Sequence, residues 1–208
     1  MEVYVLDTNL FFNMEPGLGI AKNTQEVLEK LTKAARILKE TKRGVFYMPI
    51  RVVDELLSFF EAGQQESAHL FLKEITTKSP DISKMKFEAS VFYTLIDDIR
   101  ARNLRGQAIS EDEIQKAARS TTGMGQPTKQ EFEMKVGPAI KSFRERYRQA
   151  TRGGFLDSVA DLDLIVLAQE VNGFVVSSDE GLLKWGRYFG VKEMRAQVFG
   201  TLVKDLLH

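Results

Sequence analysis

Five acidic side chains stand where a folded chain could gather them for one piece of chemistry. Asp7 closes the apolar run V-Y-V-L and is followed by Thr8-Asn9, and Asp179 follows F-V-V-S-S. Asp157 and Asp161 open the stretch D-S-V-A-D-L-D-L-I-V-L-A, and Glu55 lies in R-V-V-D-E-L-L. Carboxylates drawn together without a basic partner repel one another unless a cation sits between them. Oxygen donors of this kind suit the hard divalent ions Mg²⁺ and Mn²⁺. Two such ions about 3.5–4 Å apart hydrolyse a phosphodiester, one activating water and the other stabilising the leaving oxygen. In that scheme Asp7, Asp161 and Asp179 are direct or water-mediated ligands. Asp157 and Glu55 complete the shell of a second ion or position water, and Thr8, Asn9, Ser177 and Ser178 hydrogen-bond the carboxylates or a phosphate. Each acid also has a plainer reading. An Asp after a strand is often a turn former or helix cap, and acids at a helix start are favoured by its dipole.

The elements that must carry these residues are legible as periodicities. Met1 to Leu6, Val45 to Met48 and Phe174 to Val176 read as short buried strands. Residues 24 to 42 read as an amphipathic helix with Thr24 as its cap and Gly44 ending it. R-V-V-D-E-L-L-S-F-F continues as a helix facing Val52, Val53, Leu56, Leu57 and Phe60 to the core, and another follows over about 65 to 77. The stretch from 155 reads as an amphipathic helix. Asp157 and Asp161 then share one face at i and i+4, roughly 5–6 Å apart at Cβ. Asp163, about 200° round from Asp161, is structural or a supporting residue. Asn172-Gly173 stops this helix, the glycine supplying a left-handed cap. A last strand is expected near Ala196 to Phe199, with a closing turn beyond it, and Trp185 belongs in the core. Strand alternating with helix is α/β, and in such folds ligands bind beyond the carboxyl ends of the strands, where Asp7 and Asp179 fall.

Between residues 84 and 152 the rhythm changes. Apolar positions from Phe87 to Ile99 predict one long helix over Ser83 to Arg105, followed by helices over Ser110 to Arg119 and Lys129 to Arg152. This segment holds 14 Lys and Arg against 9 Asp and Glu, while the rest of the chain holds 15 against 20. The chain as a whole has no formal net charge, so any affinity for nucleic acid rests on a local patch. K-S-F-R-E-R-Y-R-Q-A-T-R concentrates Lys141, Arg144, Arg146, Arg148 and Arg152 just before the acidic stretch. Arg100, Arg102 and Arg105 extend the track. The alternative is an ordinary solvated face. Gly123 and Gly125 lack the Lys-Ser/Thr and the preceding strand of a phosphate loop.

Composition removes several classes of chemistry. With no cysteine, disulfides, thiolate metal sites and Cys nucleophiles are excluded, and His69 and His208 are too few for a zinc triad. No signal peptide and no apolar run of ~18 residues is apparent, which predicts a cytoplasmic protein without a membrane partner.

V-L-D-T-N, P-I-R-V-V-D-E-L, D-S-V-A-D-L-D-L-I-V-L-A and F-V-V-S-S-D-E-G-L, in this order, resemble the acidic motifs of PIN-domain nucleases over about two thirds of the chain. The resemblance implies a three-layer α/β/α domain with a mostly parallel sheet, made of residues 1–83 and 153–208, with an inserted helical subdomain over 84–152. It also implies metal-dependent RNA cleavage, with Asp7, Asp161 and Asp179 as the expected acids, Glu55 on the usual glutamate and Asp157 on an additional acid. The whole chain is similar to the small protein-only ribonuclease P family. That similarity implies precursor tRNA as substrate, removal of its 5′ leader without an RNA subunit, and homo-oligomers built from dimers. It further implies catalysis by Asp7, Asp157, Asp161 and Asp179, and tRNA binding by the insertion. Toxin-type PIN ribonucleases use the same acids but are usually shorter and lack the basic helices. A non-catalytic RNA-binding partner protein would have lost acids, and all four stand here. A phosphotransferase of the Asp-x-Asp type is disfavoured by Asn9.

Overall fold

The computed structural model describes residues 1–12, 18–61, 65–83, 85–156 and 158–208. At its centre lies β1 (Glu2–Leu6), whose Tyr4, Val5 and Leu6 are fully enclosed. The chain leaves it through the short helix α1 (Asn9–Phe12) and the long helix α2 (Thr24–Glu40), and returns as β2 (Gly44–Met48), parallel to β1. Helices α3 (Ile50–Ser58) and α4 (Glu66–Glu74) lead to a two-residue edge strand, β3 (Thr76–Thr77), beside β2. After the insertion, α7 (Val159–Glu170) feeds β4 (Phe174–Ser177), which pairs with the other side of β1. Helix α8 (Glu180–Tyr188), strand β5 (Lys192–Arg195) and helix α9 (Ala196–Leu207) complete the core.

All pairings are parallel, in the order β3-β2-β1-β4-β5. From β1 the chain first steps one way to β2 and later the other way from β4 to β5. Connections of one handedness then fall on opposite faces. Accordingly α2 packs with α4 and α9, whereas α7 packs with β1, α3 and α8. This is a three-layer α/β/α arrangement, as the motif resemblance implied. The reversal of direction sits between β1 and β4, and the crevice beyond their carboxyl ends is the place where such sheets take ligands.

Several elements differ from the sequence expectation, each for a local reason. Asn23, not Thr24, caps α2, its side chain accepting from the Glu26 N–H at 2.9 Å. The helix ends at Glu40, Lys42 takes the left-handed turn at φ 53, and Gly44 opens β2. The stretch expected to form the last strand is helical. Ala196, Phe199, Gly200 and Val203 are buried at helical spacing, and the strand precedes them. Gly200 is forced by packing, because a Cβ there would lie 1.9 Å from the Leu18 carbonyl oxygen. At the end of α7 the left-handed residue is Asn172 at φ 50. Gly173 is needed for another reason, since its missing Cβ would lie 2.8 Å from the Val3 oxygen. Helix α7 is also not one-sided. Residues from Asp163 to Ala168 are all buried, as in a helix wedged between a sheet and its neighbours.

The second compact unit, residues 89–155, is a pair of helices. Where two helices were expected, a single 33-residue helix α5 (Ala89–Thr121) runs for about 50 Å at ~1.5 Å per residue. A turn with Gly123 at φ 79 leads to α6 (Lys129–Arg152), which starts in a capping box between Thr128 and Glu131. Helix α5 is continuous because Gly106, the residue that should weaken it, is a contact point. A Cβ there would meet the Tyr147 ring at 2.8 Å.

Candidate metal-dependent nuclease site

Asp7 lies one residue past β1 and is only 4% exposed. Its backbone N–H extends the sheet by donating to the Val176 carbonyl at 3.1 Å. Its carboxylate accepts from the Ser177 hydroxyl, from Asn9 Nδ2 at 3.1 Å, and more distantly from the Asn9 N–H and the Thr8 hydroxyl, both at 3.4 Å. Ser177, the last residue of β4, does two tasks: its oxygen also accepts the Asp179 N–H at 2.9 Å. One hydroxyl therefore ties together the two strand ends that carry the acids. Of the four residues named for a supporting role, Thr8, Asn9 and Ser177 hydrogen-bond Asp7, and Ser178 is half-buried.

Asp179 is the cap of α8, its Oδ1 accepting from the N–H groups of Gly181 at 2.6 Å and Leu182 at 3.2 Å. Among the described residues no hydrogen bond is made to the other oxygen, so the cap does not occupy the whole carboxylate. Asp161 is half-buried in the first turn of α7, where Ser158 caps the helix by accepting its N–H at 2.9 Å. Asp157 lies outside the described residues, and with it the expected i, i+4 pair. Asp163 is buried and ion-paired to Arg51 at 3.0 Å. This pair, which sequence reasoning did not find, clamps α3 to α7 one turn before Glu55. Its signal was the spacing of Arg51 and Glu55 on one helix.

Glu55 is exposed on α3, and its charge reaches Asp7. Burial pushes the Asp7 carboxyl above the ordinary aspartate value, the hydrogen bonds from Ser177 and Asn9 pull it down, and Glu55 pushes it up again. Among the described residues no cation lies within ion-pair distance of Asp7, and no three acids or histidines form a closed metal cage. A buried carboxylate with a like charge beside it, oxygen donors around it and no basic partner fits a hard divalent cation, which would relieve both the burial and the repulsion.

On the hairpin, Arg100, Lys141, Arg144 and Arg152 are exposed and form no ion pair among the described residues. Arg148 is held by Glu145 at 3.1 Å, and Arg105 donates to the Ala150 carbonyl at 3.2 Å. Two arginines placed on the track by sequence are engaged internally. Arg146 bonds Asp112 and Glu113. Arg102 is buried, with Asp98 at 2.9 Å, the carbonyls of Thr151 and Gly153 at 2.6 and 3.1 Å, and the Phe155 ring beneath it. The structure therefore places Arg102 inside the hairpin rather than on its surface.

A family model described as PINc domain ribonuclease matches residues 3–208. The RNA-free ribonuclease P of Pyrococcus furiosus is 30% identical over 98% of this chain and 94% of its own length. That of Staphylothermus marinus is 33% identical over 91% and 89%, and that of Thermodesulfovibrio yellowstonii 31% over 98% and 92%. The chain belongs to the RNA-free ribonuclease P family. The similarity to RNA-free ribonuclease P extends through the hairpin as well as the α/β core, so the insertion is shared with these relatives.

Proposed function

We propose that this chain is an RNA-free ribonuclease P, an endoribonuclease that removes the 5′ leader of precursor tRNA with the help of Mg²⁺ or Mn²⁺. The family's function is tRNA 5′ processing, and the observation that carries the reading to these residues is the junction at Ser177. There two strand ends and two acids are joined around a buried, uncompensated Asp7. Asp7, Asp161 and Asp179, with Asp157 and Glu55, would hold the ions. When bound, they supply an activated water and charge stabilisation for the leaving oxygen. Ser177 and Asn9 fix the Asp7 carboxylate, and the α8 start fixes one oxygen of Asp179, so little reorganisation is needed as charge develops. Arg100, Lys141, Arg144 and Arg152, with Arg105 and Arg148, supply phosphate contacts on the hairpin. Residues 89–155 thus serve as the RNA-binding unit, and residues 1–88 and 156–208 as the nuclease core. Phe92, Ile96 and Ile99 stay exposed along α5, a row suited to association of copies of the chain into a homo-oligomer. No helix among the described residues is long and apolar enough to cross a membrane.

The test is cleavage of 5′-labelled precursor tRNA in Mg²⁺ by the purified protein and by Asp7→Asn, with mapping of the product ends. One cut at the mature 5′ end, absent in the variant, is expected. Cuts scattered through the RNA or in the anticodon would replace this reading with a toxin-type ribonuclease, and RNA binding without cleavage would replace it with a binding protein.

A further inference from the structure

Phe12 and Phe59 follow two of the acids closely in the chain, Phe12 five residues after Asp7 and Phe59 four after Glu55. Phe12 ends α1, which begins two residues after Asp7, and its neighbour Phe11 is wholly buried against Phe71. Phe59 caps the end of α3, four residues after Glu55, so the two share one side of the helix about 6 Å apart along its axis. The rings of Phe12 and Phe59 meet with centroids 4.1 Å apart and planes 36° apart, and Phe60 lies 6.0 Å from Phe12. Phe59 is nevertheless 56% exposed. Core packing accounts for Phe11 but not for a phenyl ring kept largely in water. Asp7 and Glu55, whose charges interact, are thus followed five and four residues on by Phe12 and Phe59, and the two rings touch.

We propose that Phe12 and Phe59 form a platform on which the nucleobase next to the scissile phosphate stacks. The proposal rests on the ribonuclease reading of the Asp7 site and adds the contact that holds the RNA there. An acidic edge repels a polyanion, so affinity at this place has to come from groups indifferent to phosphate charge. Stacking on an aromatic face is such a contact, and it accepts any base. That suits a leader whose sequence varies from one RNA to the next. The base lies on the outer face of Phe59, while Phe12 backs the ring and sets its tilt.

The decisive experiment compares the wild type with Phe59→Leu and Phe59→Trp. Leu keeps an apolar contact on Phe12 without a π face, and Trp keeps the face. A precursor tRNA and a single-stranded leader RNA, each with 2-aminopurine at the nucleotide just 5′ of the mature end, are titrated with the three proteins in EDTA, and kcat/KM is measured in Mg²⁺. Wild type and Phe59→Trp should quench the probe. Phe59→Leu should leave it bright and cleave with kcat/KM lowered about tenfold, the lower part of the range for loss of one stacked base. Thermal melts within a few degrees of one another would exclude a folding defect. Quenching and cleavage by Phe59→Leu equal to the wild type would overturn the proposal, as would a probe that the wild type leaves bright. If the wild type fails to cut precursor tRNA, the single-stranded probe still decides: quenching lost only in Phe59→Leu supports the platform, and equal quenching removes it.

Discussion

The α/β core and the helical hairpin are held together by opposite means. In the core, apolar residues are enclosed on both faces of the sheet, with Tyr4, Phe46 and Phe199 in mutual ring contact between β1, β2 and α9. In the hairpin, α6 has no fully buried residue, and two of the four buried positions of α5 are charged, Arg102 and Glu113. Each of those is a polar clamp. Arg102 reaches back to the end of α6, and Glu113 receives Arg146, Lys116 and Ser142, with Lys116 and Arg146 holding its carboxyl below the ordinary value. Meanwhile Phe92, Tyr93, Ile96, Leu104, Ile114 and Met134 remain exposed. A unit stabilised by specific polar contacts can leave its apolar and basic surfaces for partners, whereas a unit that must fix a few acids closely uses dense apolar packing. The acid excess of the core and the basic excess of the hairpin follow the same division.

If that division is right, the largest effect belongs to the acids. Asp7→Asn should lower single-turnover cleavage by on the order of 10³-fold, or about 4 kcal/mol in the barrier, with tRNA affinity nearly unchanged. Parallel loss of affinity in a filter-binding titration would show that the core, not the hairpin, dominates binding. Next in size is Gly200→Ala. The clash with the Leu18 backbone should cost roughly 3 kcal/mol and lower the melting temperature by about 6–12 °C. Amide exchange should quicken throughout residues 1–88 and 156–208, while α5 and α6 keep their protection.

The hairpin carries the next two tests. Arg102→Ala leaves Asp98 and two carbonyls without their donor, and should cost about 2–3 kcal/mol, read as lost exchange protection in α5 and α6. Arg144→Ala, at an exposed residue with no ion pair among the described residues, should leave that protection intact. It should instead weaken tRNA binding by less than about tenfold and reduce the slope of log affinity against log salt by about one. An Arg102 variant that altered only the salt slope would put that residue back on the surface track.

Sequence reasoning reached the α/β alternation and the placing of Asp7 and Asp179 just past strand ends because both rest on short-range patterns. Strands ending in Asp7 and Asp179, the supporting hydroxyl of Ser177 and helix α6 from Lys129 to Arg152 all come from local spacing and capping. It failed where the deciding contact is distant in the chain. Strand β3 is two residues long and exists only because β2 offers an edge. Helix α9 competes with a strand reading until Gly200 meets Leu18. Arg102 looks like any basic surface residue until Thr151 and Gly153, some fifty positions later, close over it. The ring contact between Phe12 and Phe59 was hidden for the same reason.

The smallest effect sharpens the contrast most, because it separates what the core needs for stability from what it needs for chemistry. Burial raises the folded-state pKa of Asp7 above its unfolded value. Below the unfolded value, near ~4, the side chain is protonated in both states and costs nothing. As pH rises from there to the raised folded value, the unfolded chain has already released its proton while the folded one still holds it, so stability is lost across that window. Glu170, held below its ordinary value chiefly by Lys78, has the opposite sign, contributing stability that disappears as pH falls. The difference between wild type and Asp7→Asn isolates the Asp7 contribution from that background. In EDTA at pH 7 the variant should melt about 2–4 °C higher, equivalent to roughly 1 kcal/mol, and the gap should close toward pH 4. Added Mg²⁺ should raise the wild type by ligand linkage and leave the variant nearly unmoved. A variant less stable than the wild type at pH 7 in EDTA would mean that the hydrogen bonds from Ser177 and Asn9 outweigh the cost of burying the charge, and Asp7 would then be a structural residue of the core first.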